Sequence, residues 1–414
     1  LEIIMAYSVQ GLLCLVLTSP VTAPASNGDW PQFLGPTRDG LSTETGLLAT
    51  WPKEGPPEAW KRDVGAGFSG AVVAGEWLIL FHRVDDKEVV EGLEATSGKP
   101  RWKYQYETKY RDAFGKGDGP RATPLIAGEV VYTLGAEGRL SCVNLKSGEK
   151  VWDHNLVGEY KPRKGFFGVG TSPILEGDRL LINVGANGAG IVAFNASDGK
   201  ELWKATDQEA SYSSPVAATI DGVRHVFFFT RDGLVSLDPK EGKERFSMKW
   251  RSRNNASVNA ATPVLVEDRL FLSASYGTGA ILLKVHKDKV DPVWKNDESL
   301  SNHYDTSIYH EGYLYGLDGR QEEGARLRCV DFKTGKVQWT KEGFGCASMI
   351  KADGRLIAMT EGGDLVLLEP SAKEYREKAR ASALGSPCRA PLALANGRLY
   401  ARDAKTLICW DLRK

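Results

Sequence analysis

The sequence predicts an all-β fold, an eight-bladed β-propeller of four-stranded antiparallel blades whose ring is closed by an N-terminal strand pairing with the C-terminal blade. Three observations predict it. A strand, a turn and a closing aromatic recur as LEATSGKPRW, VNLKSGEKVW, FNASDGKELW, LDPKEGKERF, VHKDKVDPVW and VDFKTGKVQW. The associated tryptophans, Trp102, Trp152, Trp203, Trp250, Trp294 and Trp339, are spaced by 50, 51, 47, 44 and 45 residues, the period of a propeller blade. Eight stretches also share one two-strand pattern around a turn, from AVVAGEWLILF and TPLIAGEVVYTL through to SMIKADGRLIAMT and APLALANGRLYARD. Finally, 45 Gly and 11 Trp suit many tight hairpins and broad aromatic contacts between sheets.

In chain order, residues 1–25 read as a signal peptide. From Met5 an apolar run, Gly11 to Leu17, precedes Ala23-Pro24-Ala25 and a cleavage point before Ser26. The run is too short to span a bilayer, so a periplasmic or secreted protein without a transmembrane segment is expected. Cys14 follows Gly11-Leu12-Leu13 and lacks the small neighbour that lipid attachment requires. Residues 26–57 form an N-terminal extension, and 58–414 the propeller. The eighth unit stops at CWDLRK with no fourth strand of its own, while PEAWKRDV, carrying Trp60, stands alone before the first unit. Pairing residues near 58–64 with those near 407–412 closes the ring and removes an open sheet edge.

Each Trp is expected as a wedge between twisted neighbouring blades. In the seventh unit, REKARASALG interrupts the alternation. A short helical or irregular excursion is expected there, with Tyr375 in place of the closing Trp. Cys142, Cys329 and Cys409 share one repeat position and should be buried fillers. Cys346 and Cys388 both precede inner strands of neighbouring blades, which leaves a disulfide between them open. GANGAG, at residues 185–190, lies between two strands with no following helix, so it reads as a hairpin or bulge and not a phosphate loop.

Function is less legible. Lys plus Arg equals Asp plus Glu, 53 each, so no bulk field recruits nucleic acid or an anionic membrane. The six His have no Cys or carboxylate neighbours at metal-ligand spacing, and no metal site is expected. No Gly-x-Ser-x-Gly turn occurs. The loops preceding the inner strands should ring the mouth of the channel. They supply Lys116, Arg121, Phe166, Phe167, Tyr212, Asn259, His303, Tyr304, Asp305 and Arg389 as candidate ligand-binding residues. Cations and an amide suit an anionic or carbohydrate-like ligand, with Tyr and Phe stacking on a ring face. His303 and Asp305, two apart, are a candidate acid/base pair.

The repeats TSGKPRW, KSGEKVW, SDGKELW and KTGKVQW resemble the pyrroloquinoline quinone (PQQ)-type propeller repeat over roughly residues 58–412. The opening DWPQFLGPTRDG and GDGPRATP are similar to secreted PQQ-like repeat proteins of the planctomycete type. That resemblance implies either a quinoprotein alcohol dehydrogenase, with PQQ and Ca²⁺, or a cofactor-free assembly protein of the outer-membrane β-barrel insertion machinery. The dehydrogenases cover the quinone with a disulfide between adjacent Cys residues and pass electrons on through a Cys-x-x-Cys-His haem site. This chain has neither motif, and it lacks their length. The expectation is therefore a monomeric, non-catalytic propeller without a cofactor, binding a protein or glycan partner through its top face and channel mouth. A quinone-dependent oxidoreductase is the alternative, and an intracellular Trp-Asp-repeat scaffold is opposed by the export signal and by CWD occurring only once.

Overall fold

A computed structural model describes residues 28–163 and 165–414. The predicted signal peptide lies outside them. Eight four-stranded antiparallel sheets follow one another around a ring. Blade 1 comprises Val72–Ala74, Trp77–Val84, Lys87–Glu94 and Pro100–Glu107, innermost strand first, and the pattern repeats through blade 7. Blade 8 takes three strands from the C-terminus, Ala393–Ala395, Arg398–Arg402 and Thr406–Asp411, and its outermost strand, Glu58–Asp63, from the other end of the chain. Trp60 lies opposite Cys409, and Arg62 opposite Leu407, which is the closure expected from the two incomplete units.

Every blade carries a register irregularity at the same place, where the third strand meets the fourth. In blade 2 Cys142 faces Trp152 but Val143 faces Lys150, so Val151 is the extra residue. A bulge bends the strand and re-aims the next side chain. Here it turns the Trp toward the following blade. There the indole N–H donates to a carbonyl in that blade's third-to-fourth hairpin: Trp60 to Ala95 (3.0 Å), Trp102 to Leu145 (2.7 Å), Trp152 to Ala196 (3.1 Å), Trp203 to Pro239 (3.3 Å), Trp294 to Phe332 (3.0 Å) and Trp339 to Ser371 (2.7 Å).

The hairpin Gly completes this joint. At Gly148 (φ +72°) an added Cβ would lie 2.4 Å from the Trp102 ring, and at the corresponding positions Gly98, Gly199, Gly242 and Gly335 it would lie within 2.8 Å of Trp60, Trp152, Trp203 and Trp294. The repeated Gly thus makes room for the ring of the preceding blade as well as turning the hairpin. Blade 4 departs as a matched pair: Phe246 holds the Trp position opposite Ser236, and the facing hairpin in blade 5, His286 to Lys289, has no Gly. Trp250 follows that strand and stacks on Phe229.

Two expectations for blade 7 are corrected. Residues Glu377–Ser382 form its fourth strand, neither helical nor irregular. The strand lies at the rim, where one face meets solvent; Ala379 and Ala381 turn to the apolar side while Arg380 pairs with Asp364 and Glu377. Ala379, opposite Leu367, occupies the Trp position. Tyr375 instead packs edge-on against Trp339 of blade 6. The five described cysteines are all free and buried, so Cys346 and Cys388 are not bridged. GANGAG is the hairpin between strands Arg179–Ala186 and Ala189–Asn195, with a bulge.

The apolar interior divides into seven clusters, each bridging neighbouring blades. The largest lies at the closure seam, where the extension adds Trp30, Leu47 and Trp51. The described part of the extension crosses the face opposite the candidate loops. It bridges Trp30 to Val73, Leu41 to Lys351 and Leu47 to Arg413. Midway, Arg38 is fully buried and donates to the carbonyls of Pro215 (2.8 Å) and Pro173 (2.9 Å) in blades 4 and 3. Burial pulls its guanidinium down to about 9. The strap closes one end of the channel. No helix among the described residues is long and apolar enough to cross a membrane.

Candidate functional site at the channel mouth

The other end is open. Because equivalent positions in a ring face one axis, the loops before the inner strands meet around a cavity of about 240 Å³. Lys116 and Arg121 reach it from blade 2, Phe167 from blade 3, Tyr212 from blade 4, His303 and Tyr304 from blade 6 and Arg389 from blade 8. These seven candidates line one cavity.

Phe166, Asn259 and Asp305 do not line it. Phe166 stands outside, against Phe114 and under Arg231. Asn259 is buried and donates to Thr230 O (2.8 Å), while its own carbonyl receives the Tyr212 and Ser213 amides. It shapes the loops instead of touching a ligand. Asp305 is sealed behind the wall. Desolvation raises its pKa to about 8, and its Oδ2 finds no hydrogen-bond partner.

The proposed acid/base pair is not formed. Burial lowers the pKa of His303, and the neutral ring donates through Nδ1–H to Gln321 Oε1 (2.8 Å) and accepts the Tyr276 hydroxyl at Nε2 (2.9 Å). Both nitrogens serve the wall of the cavity.

The cations are likewise committed. Arg121 pairs with Asp112, whose side chain is completely buried, and also holds the Gly117 carbonyl (2.9 Å). Arg389 donates from Nε to Glu361 Oε1 (2.7 Å), and Tyr304 donates to the other oxygen (3.0 Å). Lys116 meets Glu322 (3.4 Å) and Arg320 meets Glu323. Among the described residues, the four cations of the mouth are thus matched by four carboxylates. The two guanidiniums flank one ring: Arg121 lies 5.8 Å and Arg389 5.4 Å from the centre of Phe68.

Sequence reasoning missed Phe68, Phe33, Tyr276 and the Arg320–Glu322 segment, all of which line the cavity. Applying the inner-strand rule to the first unit finds Phe68 in GAGFSGA. Tyr276 and Arg320 occupy second-to-third-strand loops longer than a two-residue turn, YGTG and GRQEEGA, which reach the same face. Phe33 had no sequence signal, since it arrives on the strap.

The residues present do not suit a Ca²⁺–quinone centre. Among the described residues Glu322 is the one carboxylate on the cavity wall, and it is taken by Lys116. Among the described residues no three His, Cys, Asp or Glu stand together as a metal would require, and Cys346 and Cys388 are single buried thiols.

Fold and mouth together define the class: an eight-bladed propeller, strapped at one end and open at the other, of the PQQ-like repeat type. The chain belongs to the family described as outer membrane protein assembly factor BamB, which it matches over residues 40–164 and 86–341. Outer membrane protein assembly factor BamB of Burkholderia pseudomallei is 28% identical over 60% of this chain, a match that spans 62% of that relative's length. The crystal structure of BamB from Moraxella catarrhalis superposes with a TM-score of 0.62 at 16% identity, covering 86% of this chain and 97% of that one. Quinohemoprotein alcohol dehydrogenase from Comamonas testosteroni superposes with a TM-score of 0.64 at 13% identity, over 95% and 82%. At such identities the structural likeness speaks for the fold alone.

Proposed function

We propose that this protein is a non-catalytic binding propeller that works outside the cytoplasm, holding a protein partner at its top face and channel mouth. One observation carries the reading: each described ionisable side chain on the cavity wall is already paired within the protein. A general base or nucleophile needs a partner group poised toward substrate. Here His303 is spent on Tyr276 and Gln321, and the carboxylates on arginine or lysine. What remains is an aromatic funnel with fixed polar groups, a surface for recognition. Relatives bearing the name outer membrane protein assembly factor support a polypeptide as the partner over a glycan.

The test has two arms. Purified protein is passed over an immobilised, urea-diluted outer-membrane β-barrel polypeptide, with chitohexaose as the glycan control. A second sample is incubated with PQQ and Ca²⁺ and assayed for alcohol-dependent dye reduction. Saturable binding of the polypeptide, with no turnover, is expected. Retained quinone with alcohol-dependent reduction, or binding of the glycan alone, overturns the reading.

A further inference from the structure

We propose that Phe114, Phe166 and Phe167 form a docking shelf for a large aromatic or aliphatic side chain of a polypeptide whose backbone continues into the cavity; this rests on the reading above and specifies its partner. Phe114 is the most exposed large apolar side chain among the described residues, at 55%. Its ring lies 5.3 Å from Phe167 and 6.2 Å from Phe166, and Phe167 lies 5.7 Å from Tyr212, which lines the cavity. An apolar path therefore runs from solvent to the channel mouth. It is built firmly. Asp112 accepts the Phe114 amide (2.7 Å), Arg83 holds the Asp118 carbonyl of the same loop (3.1 Å), and the Tyr212 hydroxyl accepts the Phe167 amide (2.7 Å). Beside Phe114, the Cβ direction of Gly115 meets nothing within 4 Å, so a ligand has room.

The chemistry of the shelf selects the occupant. Successive ring planes are inclined by 52° to 62°. This herringbone accepts another ring edge or a branched aliphatic group, but offers no flat platform for a sugar face. Three described cations of these loops are paired, Arg111 with Asp86 and Asp118, Arg163 with Glu209 and Lys116 with Glu322, which reduces the field available to hold an anionic lipid surface. An apolar centre with a polar rim is the anatomy of a protein–protein hot spot.

The probe is a dye-labelled peptide of six Gly-Ser repeats carrying one central Trp, with a twin carrying Ser there, read by fluorescence anisotropy. The Trp peptide should bind about tenfold tighter than its twin, and Phe114→Ser should abolish most of that difference without moving the thermal midpoint. Ala260→Trp, which fills the cavity, should weaken both peptides. If the Trp peptide keeps its advantage in Phe114→Ser but loses it in Ala260→Trp, the shelf assignment falls and the binding function stands. If neither peptide binds the parent protein, both fall. Sedimentation with phosphatidylglycerol vesicles that depends on Phe114 assigns the shelf to membrane and also overturns the proposal.

Discussion

Substituting Ala for Gly148 isolates the joint between blades. The residue has φ +72°, and its new Cβ would lie 2.4 Å from Cε3 and 2.7 Å from Cδ2 of Trp102. Gly128, in the turn of the same blade between its first and second strands, has φ +59° and nothing within 4 Å of that position. Both variants carry the left-handed backbone penalty, about 1–2 kcal/mol. Only Gly148→Ala must also displace an indole that donates to Leu145 O at 2.7 Å. Overpacking adds about 1–3 kcal/mol, and a weakened hydrogen bond about 1 kcal/mol. The expected excess of Gly148→Ala over Gly128→Ala is therefore about 2–4 kcal/mol. Urea unfolding followed by near-ultraviolet circular dichroism measures it, provided the two slopes agree. Adding Trp102→Phe should recover part of the excess, because the benzo edge that clashes is gone. Equal losses for the two Gly variants would refute the idea that hairpin and ring are fitted to each other.

Deleting residues through 64 removes the closing strand and takes Trp30, Leu47, Trp51 and Trp60 from the largest apolar cluster; the sample should lose cooperative thermal unfolding and aggregate through the bared edge of Thr406–Asp411. Arg38→Met strips hydrogen bonds from the buried carbonyls of Pro173 and Pro215, and a loss of about 2–4 kcal/mol in urea unfolding is expected; an unchanged midpoint would mean that the strap does not brace the channel. Arg121→Ala leaves Asp112 buried without its cation, which should reduce stability by about 3 kcal/mol, and adding Asp112→Asn should restore part of it. Binding tests at this position therefore need the double variant. Asp305 holds its proton to about pH 8 when folded and to about 3.8 when unfolded, so between those values the unfolded chain binds fewer protons and stability falls as pH rises, by up to about 1.4 kcal/mol per unit from this group. Asp305→Asn should flatten the decline between pH 5 and 8 in thermal scans; identical pH profiles would contradict the buried, protonated acid.

The PQQ-type repeats and the expected strand closure were legible because both are local patterns. A Gly turn followed by an aromatic at fixed spacing specifies a hairpin whoever its neighbours are, and Trp60 without a sheet pointed to CWDLRK without a strand. Blade 7 was misread for the same reason. Its Lys, Ala and Arg residues favour a helix locally, and only the rim of a sheet, with Asp364 and Glu377 waiting for Arg380, turns them into a strand. At the mouth, the ring geometry fixed which loops meet, so Lys116, Arg121, Tyr212, His303 and Arg389 were found. Their partners were not. Asp112 and Glu361 lie 9 and 28 residues away from the arginines they neutralise, and no spacing rule joins them. Whether a convergent cation is free to bind or already paired depends on distances of a few ångströms between separate loops, as does the burial that keeps Asp305 protonated. The sequence determined the blade, the count of blades and the seam, since each is encoded in repeated short-range patterns. The tertiary structure alone decided that the described charges of the mouth are paired, that Phe33 and Arg38 arrive from the far face, and that three phenylalanines from two loops pack together, because electrostatics and packing act through space between segments the chain keeps far apart.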